Sequence, residues 1–362
     1  MIYITYTNLN AKDCMGIKKK VLAQIRVLKK HFPKVYCTCY MGQIMYLYLD
    51  GMILEREVAL TKKKCNIILK EWLFKYGITK SYIRYDWADK WFIDFLKFQK
   101  KRHIKSILEI PTYPYDLILQ EKRIMGEDAY YRNEIKKYIT QVVSYGEDDN
   151  IFGIPCINLQ NGVDIEEHPI HKKKDVDENK IVLIAVASMY RWHGYERVIE
   201  GMKNYYENGG TRNIIFKLVG QGPESNYYKL FTEQYHLSKH VEFMGKLDGE
   251  ALNKAYDDSD IAVGSLGAYK INIVNSSSIK LREYCARGIP FIYSGRDMGF
   301  TGEEAYVLNV KDNDTPINIE QVIEFFDNVV VRDSYKNNMR ARALKEFVWD
   351  SLLKSIAAFY GG

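Results

Sequence analysis

The chain of 362 residues is long for one domain and ample for two, each able to bury its own core without staples. Apolar residues make up 47% and charged residues 27%, which excludes a largely disordered chain. The net charge of +6 lies in the first half, with 27 basic against 20 acidic residues up to position 170 and 25 against 26 after it. That surplus suits an anionic substrate or membrane surface and falls short of the basic stripe that duplex DNA calls for.

The chain opens on a buried strand in MIYITYTNLN, followed by AKDCMG and a helix whose apolar residues are Ile17, Val21, Leu22, Ile25 and Leu28. Lys18, Lys19 and Lys20 crowd the start of that helix, where positive charge opposes the macrodipole unless an anion or acid neutralises it. Strands VYCTCYM and QIMYLYL, a helix over 61–76, the strand SYIRYD with Asp86 at its end, and a helix from Trp91 to His103 follow. The last of these mixes aromatic with basic residues, the composition of a core-packing helix with a wet face or of an interfacial membrane helix. SILEI then runs into PTYPYD, a stiff loop at a strand's carboxyl end, where ligands of open α/β sheets sit. Asp86, Tyr113, Tyr115 and Asp116 are therefore site candidates, against ordinary turn chemistry.

A long helix is expected over 121–140, then QVVSY and IPCINLQNGVD, and then the charged, weakly structured EEHPIHKKKDVDENK as a domain linker. Strand–helix alternation resumes from IVLIAVASM through NIIFKLVG, HVEFMG, DIAVGS, FIYSG and YVLNV, and a long helix closes the chain from about 333 to 359. Two rounds of βα alternation imply an α/β protein of two Rossmann-like parallel-sheet domains facing a cleft. We place an acceptor-side domain at 1–165, a nucleotide-sugar domain at 178–340, and a C-terminal helix at 341–362 crossing back to the first domain.

The chemistry concentrates in NSSSIKLREYCARGIP, residues 275–290. With Ser278 as cap, Ser276, Ser277 and Ile279 lie at a helix N-terminus, where free N–H groups and the dipole attract anions. Lys280 adds a charge, and Glu283, three residues on, shares its face, to accept a ribose diol or simply to pair with that lysine. A second strand-to-helix loop carries Arg191, His193 and Gly194, and a third carries Gly220 and Gly222. Arg191 is of the type that bridges two phosphate oxygens. GQGPE is no dinucleotide fingerprint, because the third glycine is missing.

INLQNGVD, KLVGQGPE, HVEFMG, YDDSDIAVGS and IKLREYCARGIPFI, in that order, resemble the family-4 retaining glycosyltransferases of GT-B fold. EIPTYPYD is similar to a loop of a bacterial subgroup that builds capsular or surface polysaccharides. The resemblance implies transfer from a nucleotide-sugar donor, most simply a UDP-sugar, to a glycan or lipid-linked glycan acceptor, with retention and without a metal. It places Gly16, His193, Gly220, Gly222, Met244, Gly245 and Glu283 at the nucleotide. It departs from the family at Asn275, where the first of two glutamates stands, at His193, where a lysine precedes the glycine, and at Met15–Gly16, where two glycines are usual. Arg191, Lys280, Asn275 and Asp86 are the catalytic candidates and Tyr113, Tyr115 and Asp116 the acceptor candidates. Without an export signal or metal-type cysteine spacing, the reading expects a cytoplasmic protein, peripheral at most to an anionic membrane and binding no nucleic acid.

Overall fold

The computed structural model describes residues 1–11, 14–116, 122–172, 177–330 and 335–361. Their contacts divide into two units, one of Met1–Gln160 with Trp349–Gly362 and one of Asn161–Val348.

The first unit is built on a nine-stranded sheet formed by β1 (Ile2–Ile4), β2 (Tyr36–Met41), β3 (Ile44–Leu49), β4 (Met52–Val58), β5 (Lys80–Arg84), β6 (Lys105–Ile110), β7 (Val142–Ser144), β8 (Asn150–Ile151) and β9 (Ile154–Asn158). Their order is β4-β3-β2-β1-β5-β6-β7-β9-β8. The sheet is mixed where parallel strands were expected, because β2, β3 and β4 pair antiparallel as a meander. Turns of two residues with positive φ at Gly42 and Gln43, and at Asp50 and Gly51, reverse the chain too tightly to admit a crossover helix.

Alternation along each strand sends its side chains to two cores. Ile2, Ile4, Ile83 and Leu108 join one cluster with α2 (Lys62–Lys75) and α3 (Lys90–Lys101). Tyr3, Tyr82 and Ile107 join the other with α1 (Met15–His31). On α1 the stripe is Val21, Ile25 and Leu28, while Leu22 is exposed. The aromatic face of α3 is turned inward, with Phe92, Phe95 and Leu96 in the core, so that face is not available to a bilayer. The expected helix over 121–140 is instead α4 (Lys122–Tyr131) followed by a 3₁₀ turn over Arg132–Lys137.

In the second unit β10 (Lys180–Val186), β11 (Asn213–Val219), β12 (Val241–Gly245) and β13 (Ile261–Val263) alternate with α5 (Glu196–Glu207), α6 (Ser225–Gln234) and α7 (Gly249–Asp257). β14 (Asn275–Ser276), α8 (Ile279–Arg287), β15 (Phe291–Ser294), β16 (Arg296–Asp297), β17 (Val307–Val310), α9 (Ile319–Phe325) and α10 (Lys336–Glu346) complete it. Six of these strands form a wholly parallel sheet, ordered β12-β11-β10-β13-β15-β17, and β14 pairs separately with β16. Near-continuous apolar runs such as Ile181–Ala185 fit a sheet covered on both faces.

The segment after Asn161 is not the loose linker its polarity suggests. His168 and His171 are buried, His171 N–H donates to the Arg287 carbonyl at 2.8 Å, and Arg340 donates to the carbonyls of His168 and Ile165 at 2.6 and 3.2 Å. Residues 173–176 of that segment lie outside the described residues. The single closing helix is also broken, into α10, α11 (Trp349–Leu352) and α12 (Lys354–Tyr360). Trp349, Leu353, Ile356 and Tyr360 of the last two join the α1-side core of the first unit, and the Tyr360 hydroxyl donates to the Ser81 carbonyl at 2.6 Å. Among the described residues no helix is long and apolar enough to cross a membrane.

Candidate active site

Three strand-to-helix loops of the second unit are held together by close backbone approach. A Cβ on Gly220 would lie 1.9 Å from the Ala187 carbonyl oxygen, and one on Gly222 would lie 1.9 Å from that of Ser188. Glycine lets the β11–α6 loop lie directly on the loop after β10. Gly220 N–H also donates to the Gly245 carbonyl at 2.6 Å, and Met189, Gly220, Gly222, Lys229, Phe243 and Gly245 line a pocket of about 350 Å³. Met244 faces away from that pocket's lining and packs against the core that holds α8.

The loop after β10 turns at Gly194, whose φ of +62° suits a residue without a side chain. It packs on the loop after β13, with Leu266 N–H donating to the His193 carbonyl at 2.8 Å. This fixes the buried His193 ring. Its Nδ1 accepts the Tyr190 N–H at 2.9 Å, and its Nε2 lies 2.6 Å from the Lys280 ammonium nitrogen. Burial pushes the Lys280 amine down to about 8 against the pull of Glu283 on its own helix. Burial, with Lys280 adding to it, holds the His193 imidazole well below its ordinary range.

Arg191 is not beside Lys280. It is exposed and donates to the Lys270 carbonyl at 2.5 Å, while Lys270 pairs with Glu196. Of the two cationic-type residues of this loop, it is His193 that meets Lys280.

The serines before α8 have partners within the unit. Ser277 is buried, its hydroxyl accepting the Asn161 N–H at 2.6 Å and its carbonyl accepting the Asn161 amide at 2.6 Å. Ser278 is the extended residue before α8, but its side chain makes no capping bond. Its N–H donates to Asp297 Oδ2 at 2.8 Å, and the Ser276 hydroxyl lies 3.3 Å from the same oxygen. Asp297 is itself paired with Arg282 in full burial. A resident carboxylate thus already meets the start of α8, so Lys280 and His193 carry more of any anion recognition than the serines do. Ile279 opens α8 itself, and Asn275 sits on β14 opposite Arg296.

Glu283, one turn along α8, is partly exposed, with Oε1 3.8 Å from His168 Nε2. Nothing local to His168 points to a site, because it stands in a polar stretch that reads as linker. Asp312 and Asp314 form an acidic pair shortly after β17; Asp312 accepts from the Ser294 hydroxyl at 3.0 Å. Among the described residues no group of three or more His, Cys, Asp or Glu side chains is placed to hold a metal ion.

In the first unit the candidates are spread out. Gly16 is exposed in the first turn of α1. Asp86 is paired with Lys62 at 2.9 Å, and that lysine also lies 3.9 Å over the Trp87 ring. Tyr115 is buried, its hydroxyl donating to Asp128 at 2.6 Å, and Asp116 pairs with Arg132 at 2.8 Å. Tyr113 packs edge-on against Phe152. Asp128, which the sequence did not single out, is the buried acceptor for the hydroxyls of Tyr115 and Tyr85; it also accepts the Ala88 N–H at 2.7 Å.

Residues 166–333 match the family model described as glycosyl transferases group 1. That match lies within the second unit and spans most of it. An uncharacterized glycosyltransferase of Methanocaldococcus jannaschii is 28% identical over 206 residues, 54% of this chain and 50% of the relative. The chain thus matches about half the length of that curated relative. A glycosyltransferase from Rickettsia africae superposes with a TM-score of 0.69 at 11% identity, covering 99% of this chain and 97% of that one. Anabaena HepE, solved with UDP and glucose, does so with a TM-score of 0.64 at 11% identity, covering 100% and 99%. These likenesses show the GT-B fold, two Rossmann-like domains, for this chain.

Proposed function

We propose that the protein is a retaining glycosyltransferase that moves a sugar from a nucleotide-sugar donor, a UDP-sugar, to a glycan acceptor in surface polysaccharide or glycoconjugate assembly. The observation that carries this reading is the grouping of Lys280, His193 and Glu283 around the start of α8, inside the segment that matches the glycosyltransferase family. Cationic and N–H donors at strand-to-helix turns suit a diphosphate, and a carboxylate one turn further along suits a ribose diol. HepE, of like fold, was solved with UDP and glucose, which supports the choice of donor.

As the sugar leaves the diphosphate, negative charge grows on the phosphate oxygens. Lys280 and His193 Nε2 stabilise that charge more in the transition state than in the ground state. Arg191 joins them only if it leaves the Lys270 carbonyl. The departing phosphate takes the acceptor proton, so no separate base and no metal is required. Acceptor recognition falls to the first unit, with Tyr113, Tyr115 and Asp116 as its candidates.

A thermal-shift screen of UDP-, GDP- and TDP-sugars tests the donor reading, because a ligand that binds only the folded state raises the apparent stability. A shift with one nucleotide class supports it; no shift with any nucleotide or nucleotide sugar at millimolar concentration contradicts it.

A further inference from the structure

The backbone sets the tautomer of His193. Tyr190 N–H donates to Nδ1 at 2.9 Å, and a ring nitrogen that accepts carries no proton, so the neutral imidazole holds its proton on Nε2. That Nε2–H faces Lys280 Nζ at 2.6 Å. An ammonium has three N–H donors and no lone pair, so the contact is a hydrogen bond only when Lys280 is an uncharged amine.

The surroundings agree with a single shared proton. The loop after β10 contributes His193, whose charging burial opposes, while Arg191 on the same loop is turned to the Lys270 carbonyl. On α8, Glu283 is the group favouring the ammonium, and Arg282 and Asp297 neutralise each other at the helix start. Burial lowers the Lys280 amine to about 8, so above that pH the resting lysine is uncharged and the charge of an entering anion is enough to reprotonate it.

We propose that in mildly alkaline solution Lys280 rests as a neutral amine accepting from His193 Nε2–H, and that an entering diphosphate is then bound with uptake of one proton by Lys280, parting the pair into two donors. This rests on the nucleotide-sugar reading above. The proton comes from solvent, and the only bond formed is N–H. Once Lys280 is an ammonium, it and Nε2–H are both donors at a distance that no longer holds them together, and phosphate oxygens give each an acceptor. Donor binding thus switches on the cationic site, and the empty site carries less buried charge.

Titration calorimetry of the whole protein with UDP, and separately with inorganic pyrophosphate, in buffers of different ionisation enthalpy counts the protons exchanged. The expected count approaches one at about pH 9 and falls toward zero at about pH 6, following the lowered amine. It vanishes in Lys280→Met. In parallel, ¹⁵N-histidine NMR of the unliganded protein, with His193 assigned from His193→Gln, is expected to show the Nε2–H tautomer. Binding with no buffer dependence at any pH, uptake that survives in Lys280→Met, or an Nδ1–H tautomer overturns the inference and leaves the nucleotide reading standing. Failure of both probes to bind overturns both.

Discussion

Glu283 shows what one residue is asked to do. Partly exposed, with Oε1 3.8 Å from His168 Nε2, its carboxylate is open enough to meet a ligand. Glu283→Ala is expected to weaken nucleotide binding by about tenfold to a hundredfold, the scale of a lost hydrogen bond to a charged group of roughly 1.5 to 3 kcal/mol. Calorimetric Kd values for UDP check this.

A second residue-scale test lies in the first unit. The fully buried Glu109 faces two cations, Arg84 in a direct pair and Lys20 at 3.5 Å, so the cluster holds one positive charge too many. Burial pushes the Lys20 amine down to about 7, with Glu109 opposing. Its folded value lies below its unfolded one, so the native state loses this proton first. Stability should therefore rise as pH climbs from about 7 toward the ordinary lysine range, where the unfolded chain still holds the proton. Lys20→Met should keep or raise the Tm at neutral pH and remove that part of the pH dependence. Glu109→Gln should destabilise by about 3 to 5 kcal/mol, since it leaves two buried cations without their carboxylate. Equal losses in the two variants would contradict the charge count. Crowded lysines at the start of α1 hinted at a nearby anion or acid, but the sequence did not single out Glu109 in SILEI. Only the fold brings Lys20, on α1, beside that strand.

At the scale of elements, the loops around Gly220 and Gly222 position the site. Gly222→Ala would force a methyl group to within 1.9 Å of the Ser188 carbonyl oxygen and push the loop after β10, which carries His193. We expect a loss of about 1 to 3 kcal/mol in stability, the range for overpacking, and weaker nucleotide binding from the displaced His193. Urea unfolding and UDP titration of the variant check both. These loops were legible in the sequence because strand, glycine and helix follow one another with little interruption. The partner of Lys280 was not. Arg191 and His193 are two residues apart, and only the φ of Gly194 and the Tyr190 N–H decide which of them turns inward. The three serines misled for a related reason: their partners, Asn161 and Asp297, lie 116 and 19 or more positions away. The antiparallel meander of β2, β3 and β4 was legible at one turn, because Asp50-Gly51 between two apolar runs is a strong hairpin signal, while Gly42-Gln43 announces its turn less clearly.

At the scale of the whole molecule, the two units each carry their own sheet and their own pair of cores. The nucleotide candidates Lys280, His193, Glu283, Gly220 and Gly222 all lie in the second unit. A fragment of residues 161–348 is therefore expected to fold and to bind UDP without transferring sugar. A fragment that folds by circular dichroism but does not bind would place the nucleotide elsewhere. The two-unit plan was readable from twofold strand–helix alternation. The expected single C-terminal helix at 341–362 is instead broken at 347–348 and 353, where Trp349 and Leu353 enter the α1-side core of the first unit.

The central claim is sugar transfer with retention, and the most direct measurement is product analysis by ¹H NMR. The whole protein is incubated with the nucleotide sugar chosen by the thermal-shift screen and a panel of glycan acceptors, with and without EDTA. The account predicts a glycoside of the same anomeric configuration as the donor, formed at the same rate in both conditions. A folded protein that binds the nucleotide yet forms no glycoside with any acceptor, or forms the inverted anomer, would contradict it.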